Sequence, residues 1–139
     1  MPKQPNAKSV AQRFASLLDG NDIAAVGCLL TETCEYKTRA GTLVGRESIL
    51  ESYREANDWA EANLHEVIYE SRVIEVNVTS ASILFIDKLR HKGLSHTYEC
   101  VQRVTLNQRG VIEHIEHIEL PGRREALSAF LQSVGISRP

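Results

Sequence analysis

The residues best suited to chemistry lie in one short segment, GVIEHIEHIEL at 110–120, where two histidines and three glutamates fall within seven residues. Imidazole and carboxylate groups transfer protons near neutral pH, and both ligate metals. On a helix, His114 and His117 would be neighbours and Glu113 would share a face with His117, which would favour a metal site. The secondary structure of the segment therefore decides between metal binding and acid/base chemistry.

The composition of this segment predicts a strand. A glycine precedes it, a proline follows it, and four β-branched residues lie within it. Alternate side chains of a strand point to opposite faces, so the two histidines separate and cannot share one ion. One face carries Ile112, His114, Glu116, Ile118 and Leu120, and the other carries Val111, Glu113, Ile115, His117 and Glu119. Periodicity alone does not say which face is inside, and the simplest interpretation leaves each histidine solvated or merely hydrogen-bonded.

The rest of the chain supplies helices first and strands afterwards. Apolar residues at helical spacing predict helices near 8–20, 21–30 and 45–58, with a short strand and turn around Gly41. After Trp59 the period changes to two, which predicts strands at 64–76, 80–91, 94–106 and 111–120. The segment PGRREALSAFLQSVG predicts a short C-terminal helix. This order predicts an α+β fold in which a curved antiparallel sheet wraps around the helices and encloses a pocket.

Length and charge bound the possible functions. The 139 residues fit one domain, predicted at 8–134 with flexible ends at 1–7 and 135–139. A formal charge of -2 and the lack of a basic face predict no binding to nucleic acid. Apolar runs are too short to cross a membrane, and the first residues do not resemble a signal peptide, so we expect a cytoplasmic protein.

Three cysteines, Cys28, Cys34 and Cys100, lack CxxC spacing, which argues against a disulfide scaffold or a structural zinc site. Reduced thiols are the expected state. A nucleophilic Cys100 is an alternative to the ordinary role of free cysteine as a small core residue.

Three stretches, QRFASLLDGNDIAAVGCLL, GTLVGRESILESYREA and VTLNQRGVIEHIEHI, together resemble the nuclear transport factor 2-like superfamily. The resemblance covers roughly residues 8–134 and implies a cone-shaped α+β fold. Members include SnoaL-type polyketide cyclases, ketosteroid isomerases and scytalone dehydratases. A fold shared by so many activities implies an architecture more strongly than a function.

The ketosteroid isomerase pattern, laid along the chain, implies which side chains face the pocket. His117 and Glu119 would face inward, while His114 and Glu116 would face outward. The implied lining consists of Phe14, Leu18, Tyr36, Thr38, Tyr53, Phe85, Asp87, Leu89, Tyr98, Cys100, Gln102, Ile115, His117 and Glu119. The positions of the isomerase base and oxyanion donors hold Thr38, Phe14 and Gln102, so ketosteroid isomerase activity is not expected.

SnoaL-type cyclases keep an aspartate that performs acid/base work at the position matching His117. The resemblance therefore implies a cofactor-independent cyclase, isomerase or lyase that acts on a small, largely apolar ligand through His117. Asp87 would accept the ring N–H and fix the tautomer. Two alternatives stay open: a structural Asp87–His117 ion pair in a non-catalytic ligand-binding or interaction domain, and a metal at His117, Asp87 and Glu119, which the resemblance does not support.

Two further expectations concern surfaces. An outward sheet face that carries Ile112, Ile118 and Leu120 is apolar enough to predict a homodimer through that face. Arg123 and Arg124, at the start of the last helix, are expected to form a solvated surface, and the alternatives are a pair with Glu119 or with a neighbouring chain.

Overall fold

The structure, a computed structural model, describes residues 6–136. Within them lie four α-helices and six strands. In chain order these are α1 (Ala7–Asp19), α2 (Ile23–Val26), β1 (Leu30–Thr38), β2 (Gly41–Val44), α3 (Arg46–Asn63), β3 (Glu66–Val76), β4 (Ser80–His91), β5 (Leu94–Leu106), β6 (Ile112–Glu119) and α4 (Arg123–Ser133).

The strands form one sheet in the order β2-β1-β6-β5-β4-β3. Every neighbouring pair is antiparallel except β1 and β6, which run parallel. The predicted α+β class is confirmed, but the sheet is mixed rather than wholly antiparallel. The reason is topological: β3 to β6 follow one another as hairpins, whereas β2, α3 and three further strands lie between β1 and β6 in the chain.

The helices cover one face of the sheet and form a common core with it. Phe14 of α1 and Ile49 of α3 are fully buried, as is Ile83 of β4 on the covered face. Asn6 begins α1 by accepting a hydrogen bond from the backbone N–H of Ser9 at 2.8 Å. The covered face therefore carries the core as well as the space in which a site can form.

The boundaries of the long strands agree with the period-two pattern to within two residues. The β4–β5 hairpin is tight because Lys92 and Gly93 both adopt positive φ, at 51° and 77°. The second predicted helix is shorter than expected. It ends at Val26, a 3-10 turn follows at Gly27–Leu29, and β1 begins at Leu30.

A bulge in β6 alters one predicted orientation. Thr105 pairs with His114 and Leu106 pairs with Ile112, so Glu113 is an extra residue between the two pairs. The bulge turns Ile112 inward, where it is fully buried. The prediction that Ile112 lies on the outer face with His114 is therefore wrong. From His114 to Glu119 the side chains alternate between the two faces as predicted.

Ordered structure extends slightly beyond the predicted 8–134. Ala7 is buried in α1, and Ile136 packs against the core. The remainder of the predicted flexible ends, 1–5 and 137–139, lies outside the described residues. No helix between residues 6 and 136 is both long enough and apolar enough to span a membrane.

Candidate functional site

Three adjoining spaces open between the helices and the sheet. An outer cleft of about 610 Å³ lies beside the β1–β2 hairpin and α3, and an inner cavity of about 210 Å³ lies deeper. An extension of about 130 Å³ continues towards α4. Tyr36, Ser52 and His117 line both the cleft and the inner cavity. Asp87 and Tyr98 line both the inner cavity and its extension.

Glu119 holds the ring of His117 at the boundary between cleft and cavity. The Nε2 atom of His117 lies 3.2 Å from Oε1 of Glu119. The hydroxyl of Tyr98 donates to the other carboxylate oxygen at 2.8 Å, and Arg124 of α4 lies 3.5 Å from Oε1, which is one of the alternatives considered for this arginine. Burial alone would raise the pKa of Glu119, but the hydrogen bonds from Tyr98 and His117 and the charge of Arg124 lower it below its usual value.

This network also determines the tautomer of His117. An ionised carboxylate only accepts hydrogen bonds, so in the neutral imidazole Nε2 carries the proton and Nδ1 carries the lone pair. Among residues 6–136, no group forms a hydrogen bond with Nδ1. The side chain of His117 is only 15% exposed. His117 therefore presents an uncommitted basic nitrogen in a largely enclosed position.

Asp87 faces the cavity but does not form the predicted pair with His117. In the sheet, Gln102 lies opposite His117, whereas Tyr98, four residues along β5, lies opposite Asp87. The two groups are thus separated by two strand spacings, ~10 Å, and by ~13 Å along the strands. The carboxylate that contacts the ring of His117 is Glu119. Asp87 and His117 instead lie at different ends of one cavity.

The carboxyl of Asp87 is unusual in its own right. Burial, with a smaller contribution from the charge of Asp19, raises its pKa to about 6. Among the described residues, none forms a hydrogen bond or an ion pair with Asp87. Titratable groups with strongly shifted pKa values in a cavity are typical of functional sites.

Gln102 fixes two tyrosines on the wall of the cavity. The hydroxyl of Tyr53 donates to Oε1 of Gln102 at 2.9 Å, and Nε2 of Gln102 donates to the hydroxyl of Tyr36 at 3.2 Å. The two rings stack with centroids 5.4 Å apart. Burial raises the pKa of both phenols, so both stay neutral over the physiological range. This polar layer is satisfied internally and forms a rigid wall.

The other predicted lining residues divide into three groups. Leu18, Phe85 and Cys100 line the inner cavity. Phe14 and Ile115 are almost fully buried in the core, and Phe14 packs edge-on against the rings of Phe85 and Tyr53. Thr38 reaches only the outer cleft, where its hydroxyl donates to the carbonyl of Gly41 in the hairpin turn.

The structure does not favour the cysteine or metal alternatives. Burial, together with the charges of Asp87 and Glu119, raises the pKa of Cys100 to about 12, so the thiol is protonated at neutral pH. No three histidine, cysteine, aspartate or glutamate residues in the range 6–136 are grouped so that they could hold a metal ion.

Several residues of the inner cavity were not predicted from the sequence. Asp19 at the end of α1 accepts a hydrogen bond from Ser71 of β3, and burial raises its pKa despite that bond. Tyr69 lies directly opposite Asp87 on β3. The β3–β4 hairpin register would have predicted Tyr69, whereas the contact between α1 and β3 has no local signal.

These features define an α+β cone whose helices and sheet enclose a cavity. No family model and no curated protein matches the sequence. Solved structures do match. A candidate polyketide cyclase from Xanthomonas campestris pv. campestris has a TM-score of 0.68 and 13% identity, covering 93% of this chain and 96% of that chain.

Two further structures are similar. SalBIII, an epoxide hydrolase/cyclase-like enzyme in pyran ring formation in the polyether salinomycin, has a TM-score of 0.65 and 15% identity over 84% of this chain and 92% of its own. TerC, co-crystallised with polyporic acid, has a TM-score of 0.64 and 15% identity over 88% and 95%. At these identities the likeness establishes the fold: the chain has the nuclear transport factor 2-like cone fold that the resemblance implied.

Proposed function

We propose that this chain binds a small, largely apolar molecule in its inner cavity and acts on it as a cofactor-independent cyclase, isomerase or lyase. One observation carries the proposal. His117 stands between the open cleft and the inner cavity, with one ring nitrogen held by an ionised carboxylate and the other uncommitted.

The reaction begins with proton transfer to His117. Nδ1 takes a proton from a carbon or hydroxyl group of the bound molecule, and the ring becomes a cation. Glu119 stabilises that cation through its hydrogen bond to Nε2, and Tyr98 holds Glu119 in place. The same nitrogen returns the proton to a different atom, which completes an isomerisation, an elimination or a ring closure.

Asp87 binds the other end of the substrate. Its carboxylate accepts a hydrogen bond from a polar group deep in the cavity and so fixes the distance between that group and His117. Orientation of this kind supplies a large part of the rate acceleration in many enzymes. The proposal gains support from the cyclase and cyclase-like proteins that share the fold.

Proton abstraction can be tested without knowing the natural substrate. The small bicyclic ketone 2-tetralone is incubated with the purified full chain in D₂O, and deuterium incorporation next to the carbonyl is followed by mass spectrometry. We expect the protein to accelerate exchange over buffer alone. Exchange at the buffer rate, for 2-tetralone and for related small ketones, would favour a non-catalytic binding domain.

We also propose a homodimer through the outer sheet face. Leu84, Val101 and Ile118 lie side by side across β4, β5 and β6 on the face away from the helices. Leu84 and Val101 are less than 9% exposed although neither belongs to the main core cluster. Ion pairs such as Arg103 with Glu116 flank this strip, which resembles the apolar centre and polar rim of an interface.

A charged side chain in the apolar strip is expected to weaken the dimer. Ile118→Asp would place a charge in the apolar strip and is expected to weaken dimerisation at least about tenfold, as measured by analytical ultracentrifugation. Val78→Asp is the matched control because Val78 is 95% exposed, in the β3–β4 turn. A wild-type protein that remains monomeric at high micromolar concentration would contradict the proposal.

The remaining proposals concern organisation and location. We propose that 8–134 functions as one domain in the cytoplasm. The three free cysteines are compatible with a reducing compartment.

A further inference from the structure

The side chains around Asp87 form a row across three strands. Tyr69 of β3 and Tyr98 of β5 lie directly opposite Asp87 on its two sides, and all three residues line the inner cavity. Directly opposed residues on one sheet face have Cβ atoms ~4.5–5.5 Å apart. The carboxylate is therefore flanked on both sides by phenol rings.

The walls of the inner cavity are aromatic beyond this row. Phe85, Tyr36 and Tyr53 complete a lining of five rings around about 210 Å³. A ring face carries partial negative charge and attracts cations, most strongly where water is excluded. The aromatic lining and the carboxylate of Asp87 thus favour the same kind of ligand group.

The cavity contains two carboxyl groups and no described lysine or arginine that could neutralise them. Asp19 and Asp87 both line it, and no lysine or arginine between residues 6 and 136 does so. Asp19 has a hydrogen bond from Ser71, whereas no described residue contacts Asp87 through a hydrogen bond or an ion pair. At pH 7.5 Asp87 is mostly ionised despite its raised pKa of about 6. A partly buried carboxylate that no described residue pairs with favours a cationic ligand.

We propose that the ligand of the inner cavity carries a protonated amino group, which binds to Asp87 between the rings of Tyr69 and Tyr98. This inference rests on the proposed ligand-binding function and narrows its substrate to small, mainly apolar amines. The amine anchors one end of the molecule at Asp87, and the other end extends towards His117.

Three probes with one skeleton test the charge preference. They are 2-aminotetralin, which is cationic at pH 7.5, the neutral 2-tetralol, and the anionic tetralin-2-carboxylate. Binding to the full-length chain is measured by isothermal titration calorimetry. We expect the amine to bind at least about tenfold more tightly than either of the other two, a difference of about 1.4 kcal/mol.

Substitution of Asp87 then tests whether this carboxylate causes the preference for the amine. In Asp87→Asn the advantage of the amine over the alcohol is expected to disappear, while the affinity for 2-tetralol stays within about twofold. The matched control is Asp58→Asn, which alters an exposed aspartate of α3 outside the cavity and should keep the preference. The inference is overturned if the amine binds no better than the alcohol or the carboxylate, or if Asp87→Asn keeps the full amine advantage.

The proposed enzyme and the proposed amine site are tested by different measurements, deuterium exchange for the first and binding affinity for the second. Deuterium exchange by the wild type that is lost in His117→Gln, with the amine preference kept in both proteins, supports both proposals. Amine preference without any deuterium exchange by the wild type removes the proposed enzyme and leaves the amine site. Exchange by the wild type without amine preference removes only the amine site.

Discussion

The Asp87→Asn variant is expected to be more stable than the wild type by about 2–3 kcal/mol at pH 7.5. Folding transfers the Asp87 carboxylate from water into an aromatic cavity where no described residue pairs with it, which raises its pKa from 3.8 to about 6. A shift of this size corresponds to ~3 kcal/mol of unfavourable free energy once the group is ionised in both states. Asparagine has nearly the shape of the neutral acid and does not incur this cost.

The pH dependence has a definite sign. The folded-state pKa lies above the unfolded-state value, so the folded protein binds the proton more tightly and Asp87 destabilises the fold only when it is ionised. The penalty is complete above pH 6, shrinks as the pH falls from about 6 to 3.8, and vanishes below. The stability advantage of Asp87→Asn should shrink over the same window.

Urea denaturation of both proteins at a series of pH values measures this difference directly. Asp58→Asn is again the control, because an exposed carboxylate carries little desolvation cost. A variant that is less stable than the wild type at pH 7.5 would show that the carboxylate has a stabilising partner in the folded protein. A stabilising substitution in a cavity is typical of a group retained for function rather than for folding.

The fold could be predicted well because its signals are local. The alternation in β3, β4 and β5 and the turns between them follow from residues close in sequence, so their boundaries agree within two residues. The parallel pairing of β1 with β6 brings together segments more than seventy residues apart, as in Tyr36 opposite Ile115. No pattern within either strand encodes that choice.

The site was predictable in part for the same reason. The alternation predicted that His117 and Glu119 share a face, and the structure joins them by a hydrogen bond. The predicted pair of His117 with Asp87 does not form, because two side chains on the same face of a sheet need not be neighbours. His117 lies on β6 and Asp87 on β4, with β5 between them. The prediction that Ile112 lies on the outer face was wrong because a bulge at Glu113 interrupts the alternation. Lateral position and bulges depend on tertiary packing rather than on periodicity.

The different surroundings of two neighbouring histidines provide the sharpest test of the proposed chemistry. His117→Gln is expected to lower the rate of deuterium exchange, or kcat for an identified substrate, by about 10²- to 10⁴-fold, the range for removal of a general base. Glutamine keeps polarity and approximate size but offers no basic nitrogen. His114→Gln is the matched control. His114 lies on the opposite face, 53% exposed beside Glu35, and its loss should change the rate by less than about twofold.

The Glu119→Gln variant distinguishes a role of Glu119 in orienting His117 from a role in stabilising the fold. A glutamine amide can donate to Nε2 and so permit the tautomer with the proton on Nδ1, which removes the free base. We expect a rate loss of at least about tenfold, together with a change in the ¹⁵N chemical shifts of the imidazole that reports the new tautomer. A purely structural role for Glu119 would lower stability without that spectroscopic change. Full activity in His117→Gln would place the base elsewhere in the cavity, with Asp87 as the remaining group of suitable pKa.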